Sequence, residues 1–303
     1  MTVSGEESDA PMQCAPSTEL VDFAADIAYD LVTNAKQLQD KSITWSRGTD
    51  RTGRQVTDAG IFDGRCGEAL FLAAVHAATG DKQFEDASLR AVHTLRSGAG
   101  SRRYVASLTN MIGPGLTGIG SIVYAFLKIG AFLSHSKLHE EARMIVSALD
   151  PRVISTDHYY SVMWGTAGAI LGLLPLIDAG QEEALELAVA GADHLIASRT
   201  EDPMSGLLAW PGDGSRGVPG EPIGGFAHGT GGIAYSLLEL HRRCNNLLYY
   251  EAAMDAWTCE RQWLEYAAAN GQTPNPRYGG TLRRSWCRGS VGMGLSRLAA
   301  LSC

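Results

Sequence analysis

The chain has 303 residues, of which 45% are hydrophobic and 19% are charged, and its formal net charge is −8. This composition is typical of a globular protein with a large core, and the acidic excess gives no sign of a nucleic-acid or anionic-membrane partner. The N-terminus lacks the basic start and apolar stretch of a secretory signal, and the most apolar run, Ala167–Ile177, is too short to span a bilayer. We therefore expect a cytoplasmic protein.

The first elements along the chain are a polar segment and a helix. Residues 1–17 are polar and acidic, and we expect them to be disordered. From about Thr18 to Gln39 the apolar residues follow helical spacing, which predicts an amphipathic helix. A polar loop, Trp45–Ala59, comes next. The six cysteines are scattered, so free thiols or metal ligands are expected rather than a disulfide framework.

A short glycine pattern then recurs five times. In each copy a glycine is followed within three residues by a second glycine, and an apolar run begins there. The first glycines are Gly64, Gly118, Gly165, Gly229 and Gly289, so the intervals are 54, 47, 64 and 60 residues. A repeat of this length is typical of one helical hairpin with its loops. The pattern therefore predicts an array of hairpins.

Two kinds of helix alternate along this array. Helices that are apolar nearly all round must be buried on every side, whereas helices with a polar face belong outside. The first kind is predicted at Glu68–Thr79, Ser121–Leu133, Ala169–Ile177, Ile233–His241 and Met293–Ser302, and the second at Lys82–Ser97, Glu182–Ser198 and Tyr249–Asn270. No strand of useful length is predicted. We expect an all-α domain over residues 18–303, an α/α toroid with inner and outer helix rings.

The residue before each first glycine falls at an equivalent place in this toroid. Those residues are Asp63, Thr117, Trp164, His228 and Arg288. They differ in chemistry, as the residues of a site do. Two segments, residues 225–232 and 285–289, place His228 and Cys287 at the start of a buried helix. A single histidine or cysteine is commonly structural, but the repeat brings these two to one mouth of the ring.

The connection Asp202–Ala227 is long and rich in proline and glycine. Such a loop inside a compact domain is usually functional or disordered. Because it leads directly into His228, we favour a lid or a substrate-facing loop.

The two segments with His228 and Cys287 carry a family resemblance. From about Trp45 to Cys303 the chain resembles the lanthionine synthetase C-like family, most specifically in His228-Gly229 and in Trp286-Cys287-Arg288-Gly289. The resemblance implies an α/α toroid with a central zinc site. It also implies a precursor peptide as substrate, and possible association with a dehydratase or synthetase partner.

The family reaction adds a peptide cysteine thiol to dehydroalanine or dehydrobutyrine, which closes a thioether ring. By the resemblance, Cys287 is the first zinc cysteine and His228 is a catalytic acid or base. Arg283 is expected to stabilise the enolate oxygen, although a solvated loop charge is the alternative interpretation. Zinc lowers the pKa of a bound thiol and so supplies the thiolate near neutral pH.

Two features depart from the family pattern. The chain has no Cys-His pair for the second cysteine and histidine ligands, and Cys303 lies too far along the last helix to share a metal with Cys287. Relatives carry an aspartate four residues before the third first glycine, whereas Ser161 stands here and Asp157 lies four residues earlier. We expect a toroid that is incomplete at its C-terminal end, in a truncated or degenerate relative or in a chain completed by a partner.

Three functions remain open from the sequence. The first is a zinc-dependent thioether cyclase, and the second is a degenerate relative that binds a peptide or a synthetase. The third is a carbohydrate-active toroid enzyme, which needs a pair of carboxylates. Only Asp63 occupies a repeat-equivalent position, so this function ranks third.

Overall fold

The computed structural model describes residues 17–45, 59–62, 64–212, 222–269, 285–298 and 301. Within these ranges the chain is mostly helical, with two pairs of two-residue strands. The predicted disordered segment lies outside the described residues except for Ser17, whose hydroxyl caps the first helix by accepting the Leu20 N–H. None of the described helices is long and apolar enough to cross a bilayer.

The elements are numbered in chain order. The helices are α1 (Thr18–Asn34), α2 (Arg65–Thr79), α3 (Lys82–Ala91), α4 (His93–Gly98), α5 (Arg102–Ile112), α6 (Ile119–Phe132), α7 (Ser136–Ala148), α8 (Arg152–Ser155), α9 (Thr166–Asp178), α10 (Glu182–Ala197), α11 (Thr230–Cys244), α12 (Leu247–Ala269) and α13 (Ser290–Leu298). The strands are β1 (Lys36–Gln37), β2 (Ile43–Thr44), β3 (Thr200–Glu201) and β4 (Leu208–Ala209), paired β1 with β2 and β3 with β4 in antiparallel fashion.

The five apolar helices predicted from the glycine copies are α2, α6, α9, α11 and α13. Each begins at the residue directly after the first glycine of its copy, two or three residues earlier than predicted. The second glycine therefore lies inside the first turn of the helix. These helices pack on one another in chain order, α2 on α6, α6 on α9, α9 on α11 and α11 on α13. They form the inner ring, and the all-α toroid prediction is confirmed.

The outer helices cover this ring. Helix α3 packs on α2, α7 on α6, α10 on α9 and α12 on α11, so each inner helix up to α11 has an outer partner that follows it in the chain. The core lies between the two rings and includes Phe84, Phe126, Ile170 and Tyr249, all nearly inaccessible to solvent. At the end of the ring, α13 exposes Val291, Leu295 and Leu298 on one side. That the toroid is incomplete at this end stays a prediction.

Two predicted helices end or break earlier than their periodicity indicates. Helix α1 stops at Asn34 because the next residues pair as β1 with β2. Asp40 stabilises the turn between them, since its carboxylate accepts the Ser42 N–H and the Ser42 hydroxyl. The helix predicted over residues 82–97 is divided at Val92, whose ψ of 2° leaves helical geometry while its side chain is buried.

The repeated glycines have a steric cause. In four copies the chain folds back over the first helical turn, and the carbonyl three residues before the first glycine occupies the space of a Cβ on the second. A Cβ at Gly67, Gly168, Gly232 or Gly292 would lie 2.2, 2.0, 1.8 or 2.0 Å from that oxygen. No side chain fits there. The glycine pattern thus records a loop that lies against its own helix.

Candidate functional site

Main-chain hydrogen bonds join four of the five glycine copies side by side. Thr117 N–H donates to the Met163 carbonyl at 3.1 Å, and Met163 N–H donates to the Ala227 carbonyl at 2.8 Å. Ala227 N–H in turn donates to the Cys287 carbonyl at 3.0 Å. These bonds gather the helix starts at one end of the inner ring, which we call the mouth. The loop that carries His228 therefore lies directly against the loop that carries Cys287.

His228 lies partly exposed just before α11. Its ring faces the indole of Trp164, with ring centroids 6.3 Å apart and planes inclined by 37°. Trp164 is 40% exposed, although its main chain packs closely against Gly115. A Cβ at Gly115 would lie only 2.6 Å from the Met163 oxygen and the Trp164 carbonyl carbon. A rigid backbone thus presents a histidine and a tryptophan together at the mouth.

Cys287 is half-buried and carries a free thiol. The residue before it, Trp286, packs its ring 5.4 Å from the ring of Phe226, which also lies 5.4 Å from Tyr235 of α11. These aromatic contacts reinforce the main-chain bond from Ala227. Among the described cysteines, Cys66, Cys244 and Cys259 likewise form no disulfide bond.

Several predicted site residues lie outside the described ranges. They are Arg283, Asp63 and Cys303. The zinc site can be tested only on the remaining donors. Among the described residues no three His, Cys, Asp or Glu side chains lie close enough together to hold a metal ion. Catalytic zinc typically has three protein ligands, so the described residues around Cys287 do not complete such a site.

The two residues weighed against the family aspartate are engaged locally. One oxygen of Asp157 accepts hydrogen bonds from Tyr160 N–H (2.9 Å), Thr166 N–H (2.8 Å) and the Thr166 hydroxyl (3.0 Å). Its other oxygen accepts the Tyr159 N–H at 3.1 Å. Ser161 is buried, and its hydroxyl accepts the Trp164 N–H at 3.3 Å. Asp157 therefore acts as a cap for the start of α9.

We expect Asp157→Ala to lower the free energy of unfolding by about 1–3 kcal/mol, because buried N–H and O–H donors lose their acceptor. Urea denaturation measures this loss. Turnover per folded molecule should stay unchanged if Asp157 is only a cap. Asp150→Ala, which removes a more exposed carboxylate from the start of α8, is the control and should cost less. Lost turnover at unchanged stability would instead make Asp157 a functional acid.

One buried residue next to the mouth was not predicted. Glu260 of α12 is inaccessible to solvent, and its carboxylate accepts the Gly225 N–H at 2.7 Å. Burial raises the pKa of this carboxyl, while Arg297 and the N–H groups of Gly225 and Gly231 act in the opposite direction. No sequence pattern distinguishes this glutamate from the other acidic residues of the amphipathic helices.

The inner helices give the mouth a common electrostatic character. Since α6, α9, α11 and α13 begin there and the N-terminal end of a helix carries about half a positive charge, their dipoles favour anions at this end. In the four copies joined by main-chain bonds the residues before the first glycine are Thr117, Trp164, His228 and Arg288, none of them a carboxylate, whereas the first copy has Asp63, which lies outside the described residues. The helix starts of these four copies therefore favour an anionic group.

Two solved structures are similar to this chain, and the first of them supports the fold. A "Glycosyl hydrolase family 88 from Bacteroides vulgatus" has a TM-score of 0.52 and 12% identity, with 94% of this chain and 85% of that chain covered. A polysaccharide lyase has a TM-score of 0.48 and 10% identity, with 95% and 84% covered. At such low identity the first likeness shows a common fold alone. Comparison with curated protein sequences gives no match.

The family comparison is more specific. The model of the family described as "Lanthionine synthetase C-like protein" matches residues 55–302, which include all five glycine copies and the loops of His228 and Cys287. The chain therefore belongs to the lanthionine synthetase C-like family.

Proposed function

We propose that this chain is a lanthionine cyclase-like protein that acts on a precursor peptide. It joins a cysteine thiol to a dehydroalanine or dehydrobutyrine residue and so forms a thioether ring. The family match supports this function. The observation that carries it is the 3.0 Å bond from Ala227 N–H to the Cys287 carbonyl, because it seats the two most specific family segments side by side.

The proposed reaction needs no oxidant or reductant. The thiol loses its proton, the sulfur bonds to the β-carbon of the dehydro residue, and the π electrons move toward the carbonyl as an enolate. A proton then reaches the α-carbon, so the net change is addition of S–H across the C=C bond. His228 takes the thiol proton and returns a proton to the α-carbon, since imidazole exchanges protons near neutral pH.

The mouth supports this chemistry through charge and shape. The converging helix starts favour both the thiolate and the enolate, and Arg283 is proposed to add a cation at the enolate oxygen. Trp164, exposed beside His228, offers an apolar surface for the peptide. A cytoplasmic location would keep the reacting thiols reduced. A dehydratase or synthetase that supplies the dehydrated peptide is a proposed partner.

Zinc is kept as a prediction of the resemblance, and no step above depends on it. Because the described donors do not form a three-ligand site, the other ligands would have to come from residues outside the described ranges or from a partner. The same observation favours a second candidate function. A degenerate relative would bind the peptide or the synthetase at the mouth without catalysis, in keeping with Asp157 being occupied as a helix cap.

Zinc content and peptide turnover together separate the two candidates. For a cyclase we expect purified protein to carry about one zinc per chain, and Cys287→Ala to lose it. Metal analysis and mass spectrometry of a synthetic peptide with one cysteine and one dehydroalanine provide the measurements; trapping of the free thiol reports ring closure. Cys244→Ala is the matched control, because Cys244 lies at the far end of α11. Metal-free protein that binds the peptide without closing rings would favour the second candidate.

A further inference from the structure

We propose that Glu260 is a positioning residue, whose buried carboxylate holds the loop of His228 against the loop of Cys287. The inference rests on the proposed function for its catalytic consequence. The claim that Glu260 holds the two loops together does not depend on that function, because it concerns contacts among three helices. None of these contacts belongs to a role predicted from the sequence.

Glu260 reaches the mouth from the outer ring. It belongs to α12, which packs on α11, and its side chain has no solvent-accessible surface. A carboxylate in such a place is strongly disfavoured unless it is paired with a cation and with hydrogen-bond donors. Its partners should therefore be held firmly, and they identify what the residue does.

The first partners lie on both sides of His228. Gly225 N–H, three residues before it, donates to Oε1 of Glu260 at 2.7 Å. The carboxyl also lies close to Gly231, three residues after His228, since a Cβ there would be 2.9 Å from the same oxygen. One side chain thus holds the residues before His228 and packs against the first turn of the helix after it.

The second partner belongs to the helix that follows Cys287. Nη2 of Arg297 in α13 lies 3.0 Å from Oε2 of Glu260. The same guanidinium is fixed on its own helix, since Nη1 donates to the Met293 carbonyl at 3.0 Å. Glu260 therefore connects three elements: α12, the start of α11 and α13.

The loops that this carboxylate connects touch each other directly. A Cβ at Gly225 would lie 2.7 Å from the Cα of Arg288 and 2.8 Å from the Cys287 oxygen. With so little clearance, a shift of the Gly225 N–H must also move the loop of Cys287 or break the bond from Ala227. A misplacement of about 1 Å at a reacting site can lower a rate about 100-fold. Loss of the hydrogen bond and ion pair of the Glu260 carboxyl is therefore expected to reduce turnover without any contact to the peptide.

The chain offers a matched ion pair outside the mouth. Nε of Arg96 in α4 lies 2.7 Å from Glu141 in α7, and both side chains are largely buried. Neither residue contacts a glycine copy in the described hydrogen bonds. Glu141→Gln thus removes the same charge from a comparable environment and reports the purely structural cost.

The experiment compares Glu260→Gln with Glu141→Gln in the full chain. The first readout is the amide hydrogen exchange of Ala227, whose N–H is bonded to the Cys287 carbonyl. The second is the division of the effect between kcat and KM on the synthetic peptide. We expect Ala227 exchange to be about tenfold faster or more in Glu260→Gln alone, and kcat to fall about 10- to 100-fold with KM little changed.

The outcomes separate the two ideas. If Ala227 exchange in Glu260→Gln equals that in Glu141→Gln, the positioning role is overturned, whatever the activity. If the native protein closes no ring but Ala227 exchange still responds to Glu260→Gln alone, the positioning role stands and the proposed activity fails. Arg297→Lys keeps the charge and shortens the reach, so it serves if Glu260→Gln does not fold. Arg297→Lys should then give a smaller increase in the exchange rate of the Ala227 amide. An unchanged exchange rate would contradict the proposal.

Discussion

Substitution of His228 by alanine is expected to reduce thioether formation by about 100- to 10,000-fold, the usual contribution of a general acid or base. The loss should appear in kcat, because the imidazole moves protons during bond formation rather than holding the peptide. The fold should be retained, since His228 is partly exposed and lies outside the helical core. Mass spectrometry of the peptide product and thermal unfolding of the variant measure the two effects.

A histidine on the helix that follows His228 provides the control. His241 lies near the C-terminal end of α11, and its Nδ1 is 2.9 Å from the Asn246 carbonyl. His241→Ala should lower stability and leave turnover per folded molecule unchanged, which is the opposite pattern. A His228→Ala variant with full activity would remove this residue from the mechanism and favour the peptide-binding alternative.

The second large effect is expected from Gly225→Ala. The φ of Gly225 is +109°, a conformation that costs an L-residue about 1–3 kcal/mol. Its new Cβ would also meet the main chain of Arg288 and Cys287 at 2.7 and 2.8 Å. Because main-chain atoms cannot rotate away, the two loops must separate. We expect turnover to fall at least about tenfold, together with a loss of stability in urea denaturation.

Gly180→Ala separates conformational strain from collision. Gly180 has a φ of +77°, but a Cβ there would have no neighbour within 4 Å. That variant should cost about 1–2 kcal/mol and leave the activity of folded molecules intact. Faster exchange of the Ala227 amide in Gly225→Ala, but not in Gly180→Ala, would locate the damage between the loops. Equal stability and equal activity in the two variants would show that the close approach of Gly225 to the main chain of Cys287 and Arg288 does not matter for function.

Much of the helical order was predictable because it depends on neighbouring residues. Continuous apolar runs identify the inner helices, although each begins two or three residues before its predicted start. The early end of α1 and the break at Val92 were not predictable in this way. In the first case strand pairing replaces the helix, and in the second the backbone leaves helical geometry at Val92.

The candidate site was predictable in part. The repeat predicts that His228 and Cys287 lie at one mouth of the ring, and the structure joins their loops by a main-chain bond; their catalytic and metal-binding roles stay predictions. Arg283 lies outside the described residues. Asp157 resembled a substitute for the family aspartate, yet its hydrogen bonds are those of a helix cap. The position of Asp157 in the sequence pattern does not show from which donors its carboxylate accepts hydrogen bonds in the folded chain.

From the printed residues alone one can read an array of hairpins, the inner and outer character of their helices and the two loops that carry the family's most specific segments. These features are predictable from the sequence because apolar periodicity and the steric need for glycine are local properties of the chain. The contact between Glu260 and Gly225 joins positions 35 residues apart, and its pairing with Arg297 involves a third helix. Such contacts arise from the packing of whole helices. Burial in the folded core is the reason that Glu260, which the sequence does not distinguish from other acidic residues, is proposed as a positioning residue.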